Sequence, residues 1–394
     1  METKSGSPHA LLLYLAFALA LLNMANVRAA RVLFALYALK QGAEPAAVGA
    51  LAATFSAFPM LLSWTAGRMS DRYGSRWLLI GGGACGALGM LVPFVFRGQA
   101  ALFVGAGLVG LSFTFYTVTL QNLVGVLSNA MDRARNFSNF SLALALAGFV
   151  GPMLAGFSID QVGYVQACLV LTVLSAIPLV MLAVWGGRLP KGERKEAPSG
   201  GVRSALAEPG MWRVLAISSL VVTGIDVFQF YLPIYGHDIH LSASAIGVIL
   251  AMFSAAAFVV RAIMPKLLER YSVERILTYA FYTGAASFLL VPLFEYAWVL
   301  ALLSFVFGLG MGCSQPITMM LTFSNSAAGR SGEMLGLRLT ANHLTRVVCP
   351  LLFGIIGSFF GLFAVFWINA LMLGSGGLLT RFEKPAKPKA DEPG

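Results

Sequence analysis

The strongest constraint on this sequence is a series of twelve apolar stretches, each about as long as a helix that crosses a membrane. They lie near residues 10–39, 47–66, 77–96, 100–124, 136–158, 163–186, 211–236, 243–265, 275–294, 298–322, 333–357 and 361–380. A membrane-spanning helix needs about 20 apolar residues, whereas buried strands are shorter and open sheet edges cannot face lipid. Only 11% of the residues are charged, against the ~25% typical of soluble domains. The sequence therefore predicts an all-α membrane protein with twelve transmembrane helices.

The chain also repeats itself at a constant distance of 198 residues. The corresponding pairs include Asp71 and Glu269, Arg72 and Arg270, Gly49 and Gly247, and Pro152 and Pro350. Two halves descended from one unit are a common design in transporters. We expect two pseudo-symmetric six-helix bundles, residues 1–186 and 211–381. A segment at 187–210, rich in charge, proline and glycine, is expected to be a cytoplasmic linker between them.

Basic residues are distributed unevenly between the two sides of the predicted helices. Of 27 lysines and arginines, only Lys40 and Arg97 lie in turns on the outer side. Most of the others lie at the N-terminus, in the even-numbered turns and in a tail at 382–394. This positive-inside pattern places both termini in the cytoplasm. It predicts a plasma-membrane protein, in the inner membrane if the source is bacterial, and it explains the net charge of +10 without a nucleic-acid partner.

Other classes of protein lack their sequence signals. The first apolar stretch is too long and contains too many polar residues for a cleaved signal peptide. The four cysteines are isolated from one another and show no metal-binding spacing, and no glycine-rich phosphate loop is present. We expect no metal, no cofactor and no enzymatic activity.

Polar side chains within the first and fourth spans are candidates for contact with a substrate. Asn23, Asn26 and Tyr37 share a stripe at helical spacing, with Arg31 beside it. Such a stripe is expected to face protein or a water-filled cavity and not lipid, although asparagines also join helices by hydrogen bonds. Tyr116 in the fourth span is a further candidate.

The seventh span contains Asp226, the only acid placed deep in a predicted span. It shares a stripe with Gln229 and Phe230, which are candidate substrate contacts. The repeat relates Asp226 to Arg28, so an acid and a base are expected on two helices that line the centre. A lone carboxylate in apolar surroundings favours its neutral form and can carry a proton, whereas an arginine neighbour would keep it ionised in a static pair. Both interpretations stay open.

The eleventh span is rich in polar groups. Arg338 and Asn342 share a stripe, with Arg346 beside it, and all three are candidate substrate contacts. Arginines inside a cavity favour carboxylate or phosphate groups. His343 is the only histidine within a predicted span. It is either a hydrogen-bonding residue or a second proton carrier.

A short basic turn separates the second and third spans, and Gly67 and Gly74 are expected to shape it. Its pattern Gly67-x-x-x-Asp71-Arg72-x-Gly74-x-Arg76 resembles the signature of the major facilitator superfamily, and the chain resembles that family over its whole length. The resemblance implies two six-helix bundles that rock around a central site. The residues it implies in conformational gating are Gly67, Asp71, Arg72, Gly74 and Arg76, with Glu269 and Arg270 of the degenerate second copy.

A glycine–proline segment interrupts the fifth span at Gly148, Gly151-Pro152 and Gly156. Proline removes a backbone donor and glycines let backbones touch, so we expect a bend and close packing there. The segment is similar to the helix 5 motif of the drug:proton antiporters. Phe140 stands where that motif has a further glycine, and the fourth span lacks the arginine that these antiporters usually carry.

These features lead to one main functional hypothesis and two alternatives. The main hypothesis is a secondary transporter that exports small hydrophobic or amphipathic compounds by alternating access, coupled to protons. The first alternative is a proton-coupled carrier of a small organic anion that cavity arginines bind. The second is a membrane sensor that does not transport. The expected partners are a small-molecule substrate, protons and the lipid bilayer, and a single copy of the chain is expected to suffice.

Overall fold

The structure, a computed structural model, describes residues 8–128, 133–189, 210–324 and 331–381. Within these ranges the chain is helical and contains no β-strand, which confirms the predicted all-α fold class. The helices are α1 (Pro8–Lys40), α2 (Pro45–Tyr73), α3 (Ser75–Val95), α4 (Gln99–Leu127), α5 (Arg133–Trp185), α6 (Met211–Asp238), α7 (Ala243–Arg270), α8 (Val273–Leu290), α9 (Ala297–Met311), α10 (Ser314–Ser324) and α11 (Ser331–Arg381), with short 3-10 turns at Gly186–Arg188 and Val291–Leu293. The predicted tail, and the predicted linker except for its first three residues and its last, lie outside the described residues.

Two of the helices are long enough to cross a membrane twice. Ten segments of the described chain have the length and composition of a membrane span, and two of these, Asn139–Arg188 and Leu337–Arg381, are 50 and 45 residues long. Each contains one non-helical glycine, Gly163 (φ 82°) in α5 and Gly361 (φ 78°) in α11. Glycine adopts a positive φ without steric cost, so each glycine divides its helix into two arms. These breaks support the predicted twelve crossings, which stay a prediction.

Helix contacts fall into two sets that follow the repeat. In the first half α1 packs against α4 and α5, and α3 packs against α4. In the second half α7 packs against α9, and α11 packs against α6 and α8. The halves are joined mainly by the contacts of α1 with α6, of α2 with α11 and of α5 with α7, and α2 also touches α6. The halves therefore touch chiefly through one central pair of helices and two lateral seams, the α2–α11 seam and the α5–α7 seam.

The two seams have the same geometry. A Cβ atom built on Gly49 would lie 2.4 Å from the carbonyl oxygen of Pro350 in the α2–α11 seam. One built on Gly247 would lie 2.6 Å from the carbonyl oxygen of Pro152 in the α5–α7 seam. The backbones thus touch where only glycine fits, and a larger residue would push the helices apart. Gly49 and Gly247 are 198 residues apart, and so are Pro152 and Pro350, so the repeat in the sequence is also a repeat in the structure.

Hydrogen bonds across the halves fasten one end of both seams. This end, where α1 ends and α2 begins, is called the distal end. The Asp160 carboxylate accepts hydrogen bonds from the backbone nitrogens of Ala243 at 3.1 Å and Ser244 at 2.8 Å. On the other seam Ser358 Oγ accepts one from the backbone nitrogen of Ala46 at 3.1 Å. Each acceptor satisfies N–H groups at the start of a helix in the opposite half, where no intrahelical partner exists.

The turn after α2 is shorter than the sequence predicts. The helix continues through Gly67 to Tyr73, and the chain reverses at Gly74 alone, whose φ is 81°. Gly67 therefore lies in a helix and does not form the turn. The side chains of Asp71 and Arg72 lie outside the described part of the structure, so their predicted gating role stays a prediction.

Candidate functional site

A buried ion pair lies between α6 and α11. Arg346 Nε donates to Asp226 Oδ2 at 3.0 Å, and the two side chains are 19% and 5% exposed. The second half holds α6 firmly at this level, because Phe228 stacks on Phe307 with ring centroids 4.5 Å apart. The acid of the seventh predicted span is therefore paired. Its partner belongs to its own half and is not Arg28, the residue that the repeat relates to it.

Arg28 reaches from α1 across the junction of the halves. Its Nη1 atom donates a hydrogen bond to Gln229 Oε1 on α6, which is a neutral partner. Asp226 and Arg346 lie within electrostatic reach of its guanidinium. On the other side α5 comes very close, since a Cβ atom built on Gly151 would lie 2.7 Å from Arg28 Cβ. The glycine of the α5 motif thus makes room for an arginine at this junction.

Arg31, one turn further along α1, has aromatic partners in place of an acid. Its guanidinium carbon lies 5.3 Å from the ring centroid of Phe230 and 5.8 Å from that of Phe55. A cation over an aromatic face gains about 0.5–2 kcal/mol. The Nε atom of Arg31 is buried and has no hydrogen-bond partner among the described residues. Since a buried donor without a partner is costly, Arg31 has an unused capacity to bind an acceptor.

Arg28 and Arg31 line the same small cavity, which we call the arginine pocket. Its volume is about 20 Å³, and its other polar lining residues are Gln229 and Ser254. A cavity of this size holds about one water molecule. The neighbouring ion pair of α6 and α11 is neutral as a unit. Arg28, Arg31 and Arg346 all share Asp226 as the one described acid near them, so the described cluster retains a net charge of +2.

A much larger groove meets the arginine pocket at Ser254. The groove has a volume of about 650 Å³ and lies between α1, α5 and α7, within the size range of small-molecule sites. Apart from Ser254 its lining is apolar and includes Phe17 and Leu21 of α1, Leu146 of α5 and Phe258 of α7. It lies on the N-terminal side of the pocket, away from the distal end.

Arg338 and Asn342 belong to a separate hydrogen-bond network within the second half. Ser218 Oγ donates to Asn342 Oδ1 at 2.9 Å, and Arg338 Nη1 donates to Ser218 Oγ at 3.3 Å and to Thr318 Oγ1 at 3.1 Å. The network ties α6, α10 and α11 together, and neither Arg338 nor Asn342 lines the arginine pocket. His343 is half-buried, and its Nδ1 atom has no hydrogen-bond partner in the described ranges.

The predicted contacts on α1 are spread along the helix. Asn23 Nδ2 donates to Ser112 Oγ at 2.8 Å, which joins α1 to α4. Asn26 is buried one turn later, and its Oδ1 atom lacks a hydrogen-bond partner in the described part of the chain. Tyr37 stacks on Tyr164 near the distal end, with ring centroids 5.6 Å apart. Only Arg31 among the α1 candidates reaches the arginine pocket.

Sequence and structure differ most clearly at Arg28, Tyr116 and Ser254. Tyr116 is buried against the glycines of α3 and does not line the arginine pocket. Arg28 lies off the predicted polar stripe, yet it lines the pocket, and its correspondence with Asp226 was its only signal. Ser254 was not predicted, because a single serine in an apolar span carries no signal. The predicted contacts that do meet at the pocket are Arg31, Gln229 and Phe230.

The remaining gating candidates lie at the end opposite the distal end. The Arg76 guanidinium lies 5.8 Å from the ring centroid of Trp77, and its side chain packs beside Gly186. Glu269 and Arg270 are exposed at the end of α7. No described contact links these residues across the halves, so their role in gating stays a prediction.

An all-helical membrane protein whose two related halves meet around a buried charged cluster has the organisation of a secondary transporter. The family model described as Major Facilitator Superfamily matches residues 16–347 and 238–394 of the chain. The chain belongs to the major facilitator superfamily, which confirms the resemblance in the turn after α2. It is an integral membrane protein and a transporter, not an enzyme.

Related proteins and structures agree with this assignment. The chain is 25% identical over 326 residues to the MFS-type transporter YuxJ of Bacillus subtilis (strain 168), covering 79% of this chain and 81% of YuxJ. It is 24% identical over 331 residues to the multidrug resistance protein MdtG of Serratia proteamaculans (strain 568), covering 78% and 76%. The fold is similar to that of a peptide transporter POT in complex with sulfate, with TM-score 0.80, 16% identity and coverage of 96% and 95%. It is also similar to that of the nucleoside transporter NupG, with TM-score 0.77, 14% identity and coverage of 94% and 100%.

Proposed function

We propose that this transporter is a proton-coupled exporter of small hydrophobic or amphipathic compounds that works by alternating access. The observation that carries the proposal is the buried pair of Asp226 and Arg346 beside the junction of the two halves. An ionisable group inside a membrane is costly to bury and is usually functional. The glycine–proline segment of α5 and the multidrug resistance protein among the relatives support export of varied apolar compounds.

The arrangement of the two ends supports alternating access. Asp160 and Ser358 fasten the distal end across the two halves, while the large groove lies on the opposite side. In the second state these distal bonds break and the halves tilt about the glycine contacts of the seams, so that the pocket opens to the distal side. With both termini in the cytoplasm, as the basic turns predict, substrate enters from the cytoplasm and leaves outside the cell.

The proton acts at Asp226. In the state with an open distal end, an external proton neutralises the carboxylate and releases Arg346 from the ion pair. The freed guanidinium changes the charge at the junction of the halves and thereby the relative stability of the two states. When the distal end closes again, the proton leaves to the cytoplasm and the pair re-forms. His343, three residues before Arg346, is the second candidate carrier.

Transport in proteoliposomes with an imposed pH gradient tests the proposal. A panel of neutral, cationic and anionic amphipathic dyes serves as substrate. Asp226→Asn should abolish gradient-driven accumulation while dye exchange without a gradient continues, because the substitution removes the titrating group but keeps the shape. Asp238→Asn is the matched control, since Asp238 is an exposed acid at the end of the same helix. Full gradient-driven transport by Asp226→Asn would show that Asp226 does not couple protons.

A second candidate function is a carrier of a small organic anion. The specific observation in its favour is the excess of positive charge in the arginine pocket, where Arg31 Nε has no hydrogen-bond partner among the described residues. Arg31→Ala should then abolish binding of small dicarboxylates, whereas Arg338→Ala should not, because Arg338 lies in a separate network. If neither variant changes anion binding, the anion-carrier hypothesis is wrong.

The cellular setting is part of the proposal. We place the protein in a plasma membrane, the inner membrane if the source is bacterial, with both termini in the cytoplasm. Residues 1–186 and 211–381 form the two moving bundles, and 187–210 is their linker. A single copy contains both bundles and hence a complete site, so the proposed functional unit is a monomer.

A further inference from the structure

The groove between α1, α5 and α7 and the arginine pocket are neighbours, separated at one point by a single residue. Ser254 borders both spaces. Across from it lies Gly148 on α5, where a Cβ atom would sit 2.7 Å from Ser254 Oγ. The boundary between the two spaces is therefore formed by a bare backbone and a small hydroxyl side chain.

Polarity changes sharply across this boundary. On the groove side the lining is apolar, and Leu142, Leu146 and Phe258 expose a large part of their surface. On the pocket side stand Arg28 and Arg31. Phe17 at one end of the groove and Arg28 in the pocket lie three helical turns apart on α1, about 16 Å at ~1.5 Å per residue. A ligand that fills both spaces must combine an apolar body with an acidic end.

We propose that the substrate is an amphipathic anion: a carboxylic acid whose apolar body occupies the groove and whose carboxylate binds Arg28 and Arg31. This inference rests on the proposed function, since it names the substrate class of the same exporter. The carboxylate supplies the acceptor that Arg31 Nε lacks and replaces the neutral Gln229 as a partner of Arg28. Charge-assisted hydrogen bonds of this kind are about twice as strong as neutral ones.

The same geometry predicts which compounds bind poorly. A lipophilic cation places a further positive charge beside a described cluster that already has three arginines and one acid. A neutral alcohol fills the groove but leaves the arginines without a charged acceptor. The order of affinity is therefore carboxylate, then alcohol, then quaternary ammonium, at constant chain length.

Equilibrium binding to the purified full-length transporter in nanodiscs of zwitterionic lipid tests this order. The probes are octanoate, decanoate, decanol and decyltrimethylammonium, and the signal from empty nanodiscs is subtracted. Burial of each methylene should tighten binding about fourfold, hence about fifteenfold from octanoate to decanoate. Decanoate should bind at least about tenfold more tightly than decanol, because its charge adds strong hydrogen bonds.

Variants separate the two parts of the site. Arg31→Gln should weaken decanoate binding about tenfold or more and leave decanol unchanged. Leu146→Ser should weaken both probes to the same extent, because it alters only the groove. Arg338→Gln is the matched control and should change neither. If Arg31→Gln does not fold, Arg31→Lys keeps the charge but loses the guanidinium fork, and it should give an intermediate affinity.

Three outcomes would overturn the inference. The first is equal affinity for decanoate and decanol, and the second is tighter binding of decyltrimethylammonium than of decanoate. The third is loss of decanoate binding when phosphatidylglycerol is added to the nanodiscs, which would mean that bilayer lipid fills the groove. Proton-driven export of cationic dyes without carboxylate binding would overturn this inference and leave the proposed function intact. Carboxylate binding without Asp226-dependent transport would support this inference and overturn the proposed proton coupling.

Discussion

Removal of the carboxylate of Asp160 is expected to open the distal end of the transporter. This carboxylate accepts hydrogen bonds from the backbone nitrogens of Ala243 and Ser244 at the start of α7, at 3.1 and 2.8 Å. Since α5 and α7 belong to different halves, these bonds exist only while the distal end is closed. Asp160→Ala therefore destabilises the closed state and leaves each half intact.

The size of the effect follows from these two bonds. A hydrogen bond to a charged group contributes about 1.5–3 kcal/mol when buried, and an acid at a helix N-terminus adds about 0.3–1 kcal/mol. Asp160 is exposed, so solvent screening reduces both contributions. A loss of about 1–2 kcal/mol for the pair changes the ratio of closed to open molecules roughly 5- to 30-fold. Asp160→Asn keeps an acceptor oxygen without the charge and should give a smaller shift.

Distance measurements between two spin labels give the fractions of molecules whose distal end is closed or open. The labels are attached at Gln161→Cys on α5 and Asp238→Cys on α6, both exposed near the distal end. The natural cysteines to be replaced are Cys85, Cys168, Cys313 and Cys349. Double electron–electron resonance of the labelled protein in nanodiscs then gives the fraction of molecules with a long distal distance. That fraction should rise in the order wild type, Asp160→Asn, Asp160→Ala.

The repeat supplies an internal comparison. Ser358→Ala removes a single neutral hydrogen bond to Ala46 on the other seam, worth about 0.5–1.5 kcal/mol at most. Its shift should be smaller than that of Asp160→Ala. An unchanged distance distribution in Asp160→Ala, with a melting temperature like that of the wild type, would refute the idea that these bonds hold the distal end closed.

Two further predictions concern the seam and the ion pair. Gly156→Ala places a Cβ atom 2.4 Å from the carbonyl oxygen of Ala243, so it should widen the α5–α7 seam and lengthen the same distal distance. Gly81→Ala, at a helical glycine with nothing within 4 Å, should leave the distance unchanged, and equal behaviour of the two variants would contradict the packing argument. Arg346→Gln leaves the buried Asp226 carboxylate without its partner and should lower the free energy of unfolding by up to about 3–5 kcal/mol. Adding Asp226→Asn should recover most of that loss in a thermal melt, and a further loss in the double variant would show that the pair is not what stabilises this region.

The frame of the molecule could be predicted because its close contacts are made by glycine and proline at repeated positions. Gly110 and Gly308 illustrate this within the halves. Cβ atoms built on them would lie 2.5 Å from the Phe55 carbonyl oxygen and 2.4 Å from the Phe253 carbonyl oxygen, respectively. Such contacts admit no other residue type, so the positions that build the scaffold keep their identity in both halves and the repeat is visible in the sequence.

The site could be predicted only in part, because its partners depend on how helices rotate against one another. The sequence predicts that Asp226 and Arg28 lie on facing helices. In the structure the orientation of α11 pairs Asp226 with Arg346, and Arg28 donates its hydrogen bond to Gln229. The groove is a space between three helices. No pattern of residues along the chain predicts the volume of a space between packed helices. These are properties of packing, which follow from the sequence only through the complete fold.

The charges at the centre break the symmetry that the scaffold preserves. The positions related by the repeat are Arg28 and Asp226, Arg31 and Gln229, and Gly148 and Arg346. The last pair distinguishes the two seams. On α11 this position carries the side chain that binds the acid, whereas on α5 it carries no side chain and packs directly against Ser254. If Asp226 and Arg346 serve proton coupling at the α11 position, the corresponding position on α5, Gly148, is free for a different task. The α5–α7 seam is then the side from which substrate enters.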